Sequence, residues 1–298
     1  MRKVSISLIA LLIISLVVAG CGGNGQQAAD PAEQSAAERF NGRVIGIEPG
    51  AGLMSASEEA IAEYGLTDYT LMDGSSATMA AALGEAIANE EWVIVTGWTP
   101  HWKFAQWDLK YLEDPKGIFG GAEQIHTLVR TGLEGDMPDV FAFLDNFYWT
   151  PDDMAEVMVW NTENNQDYPN AVRWVEENMD TVNSWLPEGM EEGNGENVTL
   201  IYVPWDSEIA STNVVRAVLE EVMGYSVTMM EVDAGAMYQG LASGDADAMV
   251  AAWLPTTHGH YVDAVQDNIV DLGPNLDGTA IGWVVPAYVT IDSIEDLQ

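Results

Sequence analysis

Three tryptophans stand where packing alone does not account for them. Trp98 and Trp253 close apolar stretches just before Pro100 and Pro255, and Trp205 lies in the loop Val203-Pro204-Trp205-Asp206-Ser207. Trp92, Trp160, Trp174, Trp185 and Trp283 fall within apolar strand or helix patterns and read as core. Three indoles projecting into one cleft, with no dedicated acid, suit a quaternary ammonium. That cation has no N–H to donate and spreads its charge over methyl groups, so hydrogen-bond acceptors grip it poorly. The negative faces of aromatic rings attract it by about 2 kcal/mol or more per desolvated contact. An ordinary ammonium would leave its donors unsatisfied there, which gives selectivity by exclusion. The blander alternative is three rings that only line a hinge.

A second set of residues suits the opposite charge. Glu48-Pro49-Gly50-Ala51-Gly52-Leu53-Met54 precedes a helix. Glycines let the backbone approach closely, and free N–H groups at a helix start attract anions. The loop lacks the spacing and the lysine of a nucleotide P-loop. A carboxylate fits better, held by the amides of Gly52 and Leu53, with His258 as a further donor. A lone histidine is more often structural, but its place beside a cleft tryptophan favours the binding role. His258-Gly259-His260 lacks a third metal ligand, and no cofactor is expected. Asp206 and Glu208 are the candidates for an acid–base pair, yet carboxylates near a helix start are usually caps. With no nucleophile and base to accompany them, catalysis is not expected.

The elements that must hold these residues occur twice. A short apolar stretch (Val44 to Ile47, or Leu200 to Val203) leads into a loop. A helix follows from near Ser55 or Glu208, then a strand, a second helix and the strand that delivers Trp98 or Trp253. Each copy runs for roughly sixty residues. Ser55 with Glu58 has the form of a capping box, and Gly65 closes that helix. A mostly helical insert separates the copies, with starts at Thr150-Pro151-Asp152-Asp153 and a long helix from Tyr168 to Trp185. In open parallel sheets the ligand crevice lies at the carboxyl ends of the strands, where both tryptophans sit. The expected class is α/β: two lobes, each a sheet flanked by helices, with the ligand between them.

The amino-terminal residues suggest where such a protein works. Met1-Arg2-Lys3 and the apolar run Val4 to Ala19 end in small residues before Cys21, the only cysteine in the chain. Residues 1–20 read as a lipoprotein signal peptide, Cys21 as the acylated residue, and 21–39 as a flexible tether. Such a protein is anchored to a membrane without spanning it. Acidic residues number 47 against 10 basic ones, a formal charge of −37. No basic stripe exists to neutralise phosphates, so nucleic acid is excluded as a partner. The acids are dispersed along helix faces as a solvated surface. This charge suits a saline habitat, where screening is short-ranged, and repels itself at low ionic strength.

Several segments together carry a family resemblance. Ile45-Gly-Ile-Glu-Pro-Gly-Ala-Gly52, Thr96-Gly-Trp-Thr-Pro-His-Trp102, Lys110-Tyr-Leu-Glu-Asp-Pro-Lys116, Trp205 to Asn213, Ala252-Trp-Leu-Pro-Thr-Thr-His258 and Ser293-Ile-Glu-Asp-Leu297 resemble the glycine betaine/proline betaine substrate-binding lipoproteins of ABC transporters. The resemblance covers nearly the whole mature chain. It implies a two-lobed, type II-like periplasmic-binding-protein fold that closes on its ligand. It also implies an ammonium cage at Trp98, Trp205 and Trp253, with the carboxylate held at Gly52, Leu53 and His258. Family members occur in two segment orders related by circular permutation; this chain begins with the glycine-rich-loop copy. The implied role is uptake of compatible solutes for osmoprotection, by a monomer that delivers its ligand to a membrane permease. Choline or carnitine is the alternative ligand. The lobes are expected at 40–100 plus 259–298 and at 101–258.

Overall fold

The protein is described by a computed structural model over residues 34–298; the leader and Cys21 lie outside the described residues. The first element is already part of the folded unit. Ser35 and Glu38 form a reciprocal capping box on α1 (Ala36–Arg39). Phe40 is buried beyond it, and the Arg39 guanidinium lies 3.1 Å from the Trp92 ring centroid. These contacts draw residues 36–39, expected in the tether, onto the core.

The first copy then reads β1 (Arg43–Ile45), α2 (Gly52–Glu63), β2 (Thr70–Met72), α3 (Ser76–Ala88) and β3 (Ile94–Thr99), with the strands parallel in the order β2-β1-β3. α4 (Lys103–Gln106) and β4 (Leu109–Tyr111) lead on to β5 (Glu123–Arg130). The insert consists of α5 (Leu133–Asp136), α6 (Pro138–Asn146), α7 (Pro151–Asn164), α8 (Asp167–Glu177) and α9 (Met179–Trp185). The helix expected from Tyr168 to Trp185 is two helices. At Asn178 the backbone leaves the helical range and the side chain bonds the Trp174 carbonyl at 2.9 Å, competing with the ladder. Trp174 stacks on Trp185 with centroids 5.9 Å apart, and Trp149 meets Trp174 edge-on. The insert therefore has an aromatic core of its own.

The second copy repeats the first: β6 (Asn197–Tyr202), α10 (Asp206–Ala217), β7 (Ser226–Glu231), α11 (Ala234–Ser243) and β8 (Ala248–Leu254), parallel in the order β7-β6-β8. α12 (Gly259–Val265) and the 18-residue β9 (Ile269–Pro286) complete the strands. β9 serves both lobes. Its residues up to Thr279 run antiparallel to β5, and from Ala280 they run antiparallel to β3 and β4. β5 in turn lies antiparallel against β8. Each set of three parallel strands is thus closed by an antiparallel strand delivered from the other copy's side. β9 thus keeps its ladder as it passes from one set of partner strands to the other, which leaves neither set with a bare edge there. Among the described residues no helix is long and apolar enough to cross a membrane.

Candidate functional site

Trp98 and Trp253 occupy the next-to-last positions of β3 and β8, each followed after one residue by a cis-proline, Pro100 or Pro255. They were expected after their strands. The ladders extend one step further because β9 and β5 supply partners, Ile281 opposite Trp98 and Ile125 opposite Trp253. Trp205 is the residue that precedes α10. All three rings are nearly enclosed, at 4, 3 and 7 % exposure for Trp98, Trp253 and Trp205.

They line a single pocket together with Gly52, Leu53 and His258. The six residues singled out by sequence therefore meet around one cavity. α2 begins at Gly52, three residues before the expected start, and Ala51 at its N-cap has no side-chain bond. The Ser55–Glu58 box does not form. A Cβ on Gly52 would sit 2.2 Å from the Thr257 carbonyl oxygen, so only glycine lets the two segments touch there. As the first two residues of the helix, Gly52 and Leu53 have no carbonyl one turn earlier for their N–H groups to bond.

His258 is completely buried. Its Nδ1 accepts the Trp253 N–H at 3.1 Å, which puts the ring proton on Nε2. Nε2 has no partner in the protein. Burial, with His260 nearby, pulls the pKa to about 3, so the imidazole is a neutral donor at physiological pH. The loop that carries it is pinned by the buried Glu123, whose carboxylate accepts from Thr256 N (2.6 Å), Thr257 N (2.8 Å) and the Thr257 hydroxyl.

The indole N–H groups are all tied away from the ring faces. Trp98 Nε1 donates to Ser207 Oγ (3.0 Å), Trp253 Nε1 to Glu208 Oε1 (2.8 Å), and Trp205 Nε1 to Glu48 Oε2 (2.9 Å). Two of these bonds, Trp98 to Ser207 and Trp205 to Glu48, cross from one lobe to the other. Trp205 also stacks on His258, with centroids 5.9 Å apart and planes at 27°.

Asp206 makes a third tie across the cleft. It accepts from the Ser76 hydroxyl and from Trp102 Nε1 (3.1 Å), while His101 Nε2 approaches at 3.4 Å. Burial pushes this carboxyl up, but His101, Ser76 and Trp102 outweigh it and hold the pKa at about 2. Asp206 and Glu208 are thus not caps, and α10 has no side-chain N-cap bond. Sequence reasoning missed Ser207, Glu48 and Glu123 as parts of the site, and weighed Glu208 only as half of an acid–base pair. For Ser207 and Glu208, proximity to Trp205 was the available signal, and for Glu48 its place in the glycine-rich loop; for Glu123, whose partners lie more than 130 residues away, there was none. No group of three or more His, Cys, Asp or Glu side chains among the described residues is arranged to hold a metal.

Comparison with known proteins bears on what such a cavity takes. Residues 26–177 and 196–298 match the family described as the substrate binding domain of ABC-type glycine betaine transport system. A glycine betaine/carnitine transport binding protein of Listeria monocytogenes serotype 1/2a (strain 10403S) is 43 % identical over 300 residues, spanning 100 % of this chain and 98 % of that protein. Among solved structures, the glycine betaine, L-proline-binding protein from Borrelia burgdorferi is 42 % identical, over 51 % of this chain and 58 % of its own, with a TM-score of 0.49. Lactococcal OpuAC in its closed-liganded conformation, complexed with glycine betaine, is 42 % identical over 49 % and 58 %, with a TM-score of 0.48.

Proposed function

This chain belongs to the family of substrate binding domains of ABC-type glycine betaine transport systems, and on that premise we propose how its cavity takes the solute. Trp98, Trp205 and Trp253 enclose the trimethylammonium group of glycine betaine. The amides of Gly52 and Leu53 and the Nε2–H of His258 receive its carboxylate. The observation that carries this reading is a buried donor without an acceptor, His258 Nε2, placed in the same cavity as three indole faces. A buried donor left unbonded costs about 1–3 kcal/mol, and a ligand carboxylate relieves that cost. Glycine betaine sheds a strong hydration shell on entry, so cage and donors have to act together. The lobes close around it and present it to a membrane permease powered by a separate ATPase.

The apolar run that ends in small residues before Cys21 supports a lipoprotein tethered on the extracytoplasmic face. Carnitine, named for the Listeria relative, offers the same two charges on a longer chain; choline lacks the carboxylate.

Titration of the intrinsic tryptophan fluorescence with glycine betaine, proline betaine, carnitine and choline tests the reading. Saturable binding of glycine betaine, and choline weaker by at least about tenfold, is the expected result. Equal binding of choline and glycine betaine would remove the carboxylate subsite, and no response to any member of the panel would overturn the function.

A further inference from the structure

One carboxylate in the cavity has no role in the scheme above. Glu208, in the first turn of α10, is fully buried and forms no salt bridge among the described residues. Its Oε1 accepts the Trp253 indole N–H at 2.8 Å, and its Oε2 accepts the Ser207 hydroxyl at 2.5 Å. Ser207 Oγ accepts the Trp98 indole N–H in turn. A single chain of hydrogen bonds therefore runs Trp98–Ser207–Glu208–Trp253 and joins indoles from both lobes. Glu208 itself lines the space between them.

An isolated buried carboxylate is costly to keep ionised unless a positive charge compensates it. Among the residues that line the pocket none is a lysine or arginine, so the cation that enters it is the ligand's ammonium, which has no N–H and can answer a carboxylate only through space.

We propose that Glu208 is a specificity-determining residue of this cavity: its carboxylate fixes two cage indoles and supplies the counter-charge for the ligand's ammonium. The inference rests on the reading of the cavity given above. Burial raises the Glu208 pKa to about 7, against the hydrogen bonds from Ser207 and Trp253 that lower it. Without ligand, then, the group is part protonated at neutral pH. A bound ammonium favours the ionised form, so binding releases the Glu208 proton to solvent. The sign follows: affinity rises with pH up to about 7 and levels off above it, and below it the dissociation constant grows by up to about tenfold per pH unit.

The other charged and titratable groups facing this region are few. Asp206 on the same helix stays ionised at its pKa of about 2. Tyr238 on α11 is raised well above the ordinary phenol range by burial. His258 after β8 and His101 after β3 are neutral above about 3 and about 4, both through burial. Glu48 accepts from Trp205. Lys103 on α4 is the competitor: its Nζ lies 4.4 Å from the Trp98 ring centroid, and burial lowers its pKa to about 7.

Glu208→Gln separates the two, since it keeps the volume and an oxygen for Trp253 but removes the charge. Calorimetric titration with glycine betaine from pH 5.5 to 8.5, in two buffers of different ionisation enthalpy, is the measurement. For the wild type we expect proton release below pH 7 and none at pH 8.5. For Glu208→Gln we expect binding about 10- to 100-fold weaker at pH 8, with a flat pH profile. Ser207→Ala removes the acceptor of the Trp98 indole and one of the two donors to Glu208 but keeps the carboxylate. It is expected to lose less affinity than Glu208→Gln and to keep a pH slope, with its midpoint moved up because the Ser207 bond lowers the Glu208 pKa. Wild-type-like affinity in Glu208→Gln, a pH slope that persists in it, or the absence of proton release by the wild type would each overturn the proposal. The last reads without any variant. Failure of the wild type to bind at any pH would instead overturn the reading of the cavity.

Discussion

His258 spends one ring nitrogen on the backbone and keeps the other for the cavity. The Trp253 N–H fixes the tautomer, and burial keeps the ring neutral, so the donor is present throughout the physiological range. The tryptophans follow the same logic, each with its N–H satisfied by a side-chain oxygen, which under the proposed reading leaves a ring face to the ligand. Trp98→Ala, Trp205→Ala and Trp253→Ala are each expected to weaken glycine betaine binding about 10- to 100-fold by calorimetry. His258→Ala is expected to lose about tenfold or more. Unchanged affinity in all three tryptophan variants would remove the cage, and an unchanged His258→Ala would remove that donor. At this scale the residues legible in the sequence were those with unusual local settings, such as an indole beside a proline or a glycine-rich loop. Trp205 beside them marks Ser207 and Glu208, but their roles were not legible, because the bonds to Trp98 and Trp253 that define them join segments far apart in the chain.

Helix starts do more here than begin helices. α2 opens at Gly52 because close contact with Thr257 outweighs the local signal of Ser55 and Glu58. Its first amides consequently reach the cavity. α10 opens at Asp206, whose carboxylate reaches over to Ser76 on α3 and to Trp102 after β3. Hydrogen bonds to a charged group contribute about 1.5–3 kcal/mol each, so this tie favours the closed arrangement. Asp206→Ala is expected to speed glycine betaine dissociation about tenfold in stopped-flow fluorescence with little change in association; an unchanged dissociation rate would contradict the tie. Element type and order were readable from apolar periodicity, cap residues and glycine stops, as at Thr150 and Gly65. The break at Asn178 and the extra step of β3 and β8 were not: the first turns on a local side-chain bond to the Trp174 carbonyl that leaves the apolar spacing unchanged, and the second depends on partner strands far along the chain.

Across the whole molecule, the two copies exchange their closing strands, β9 onto β3 and β5 onto β8. This exchange brings the carboxyl ends of β3 and β8, and so Trp98 and Trp253, to one cavity. The duplication was visible in the sequence because the tryptophan strands and their prolines repeat. The division of β9 was not, because nothing in Ile269–Pro286 marks where one partner strand gives way to another. Buried acids such as Glu123 and Glu208 aside, the excess behind the formal charge of −37 bears on solubility and salt dependence more than on the cavity. The central claim is that a zwitterion lies between the lobes with its ammonium among the indoles and its carboxylate at the helix start. A crystal structure with glycine betaine tests this directly. The nitrogen is predicted within about 6 Å of the centroids of Trp98, Trp205 and Trp253. A carboxylate oxygen is predicted about 2.7–3.2 Å from Gly52 N, Leu53 N and His258 Nε2. A ligand bound outside this cavity, or lying in it with its ends reversed, would contradict the account.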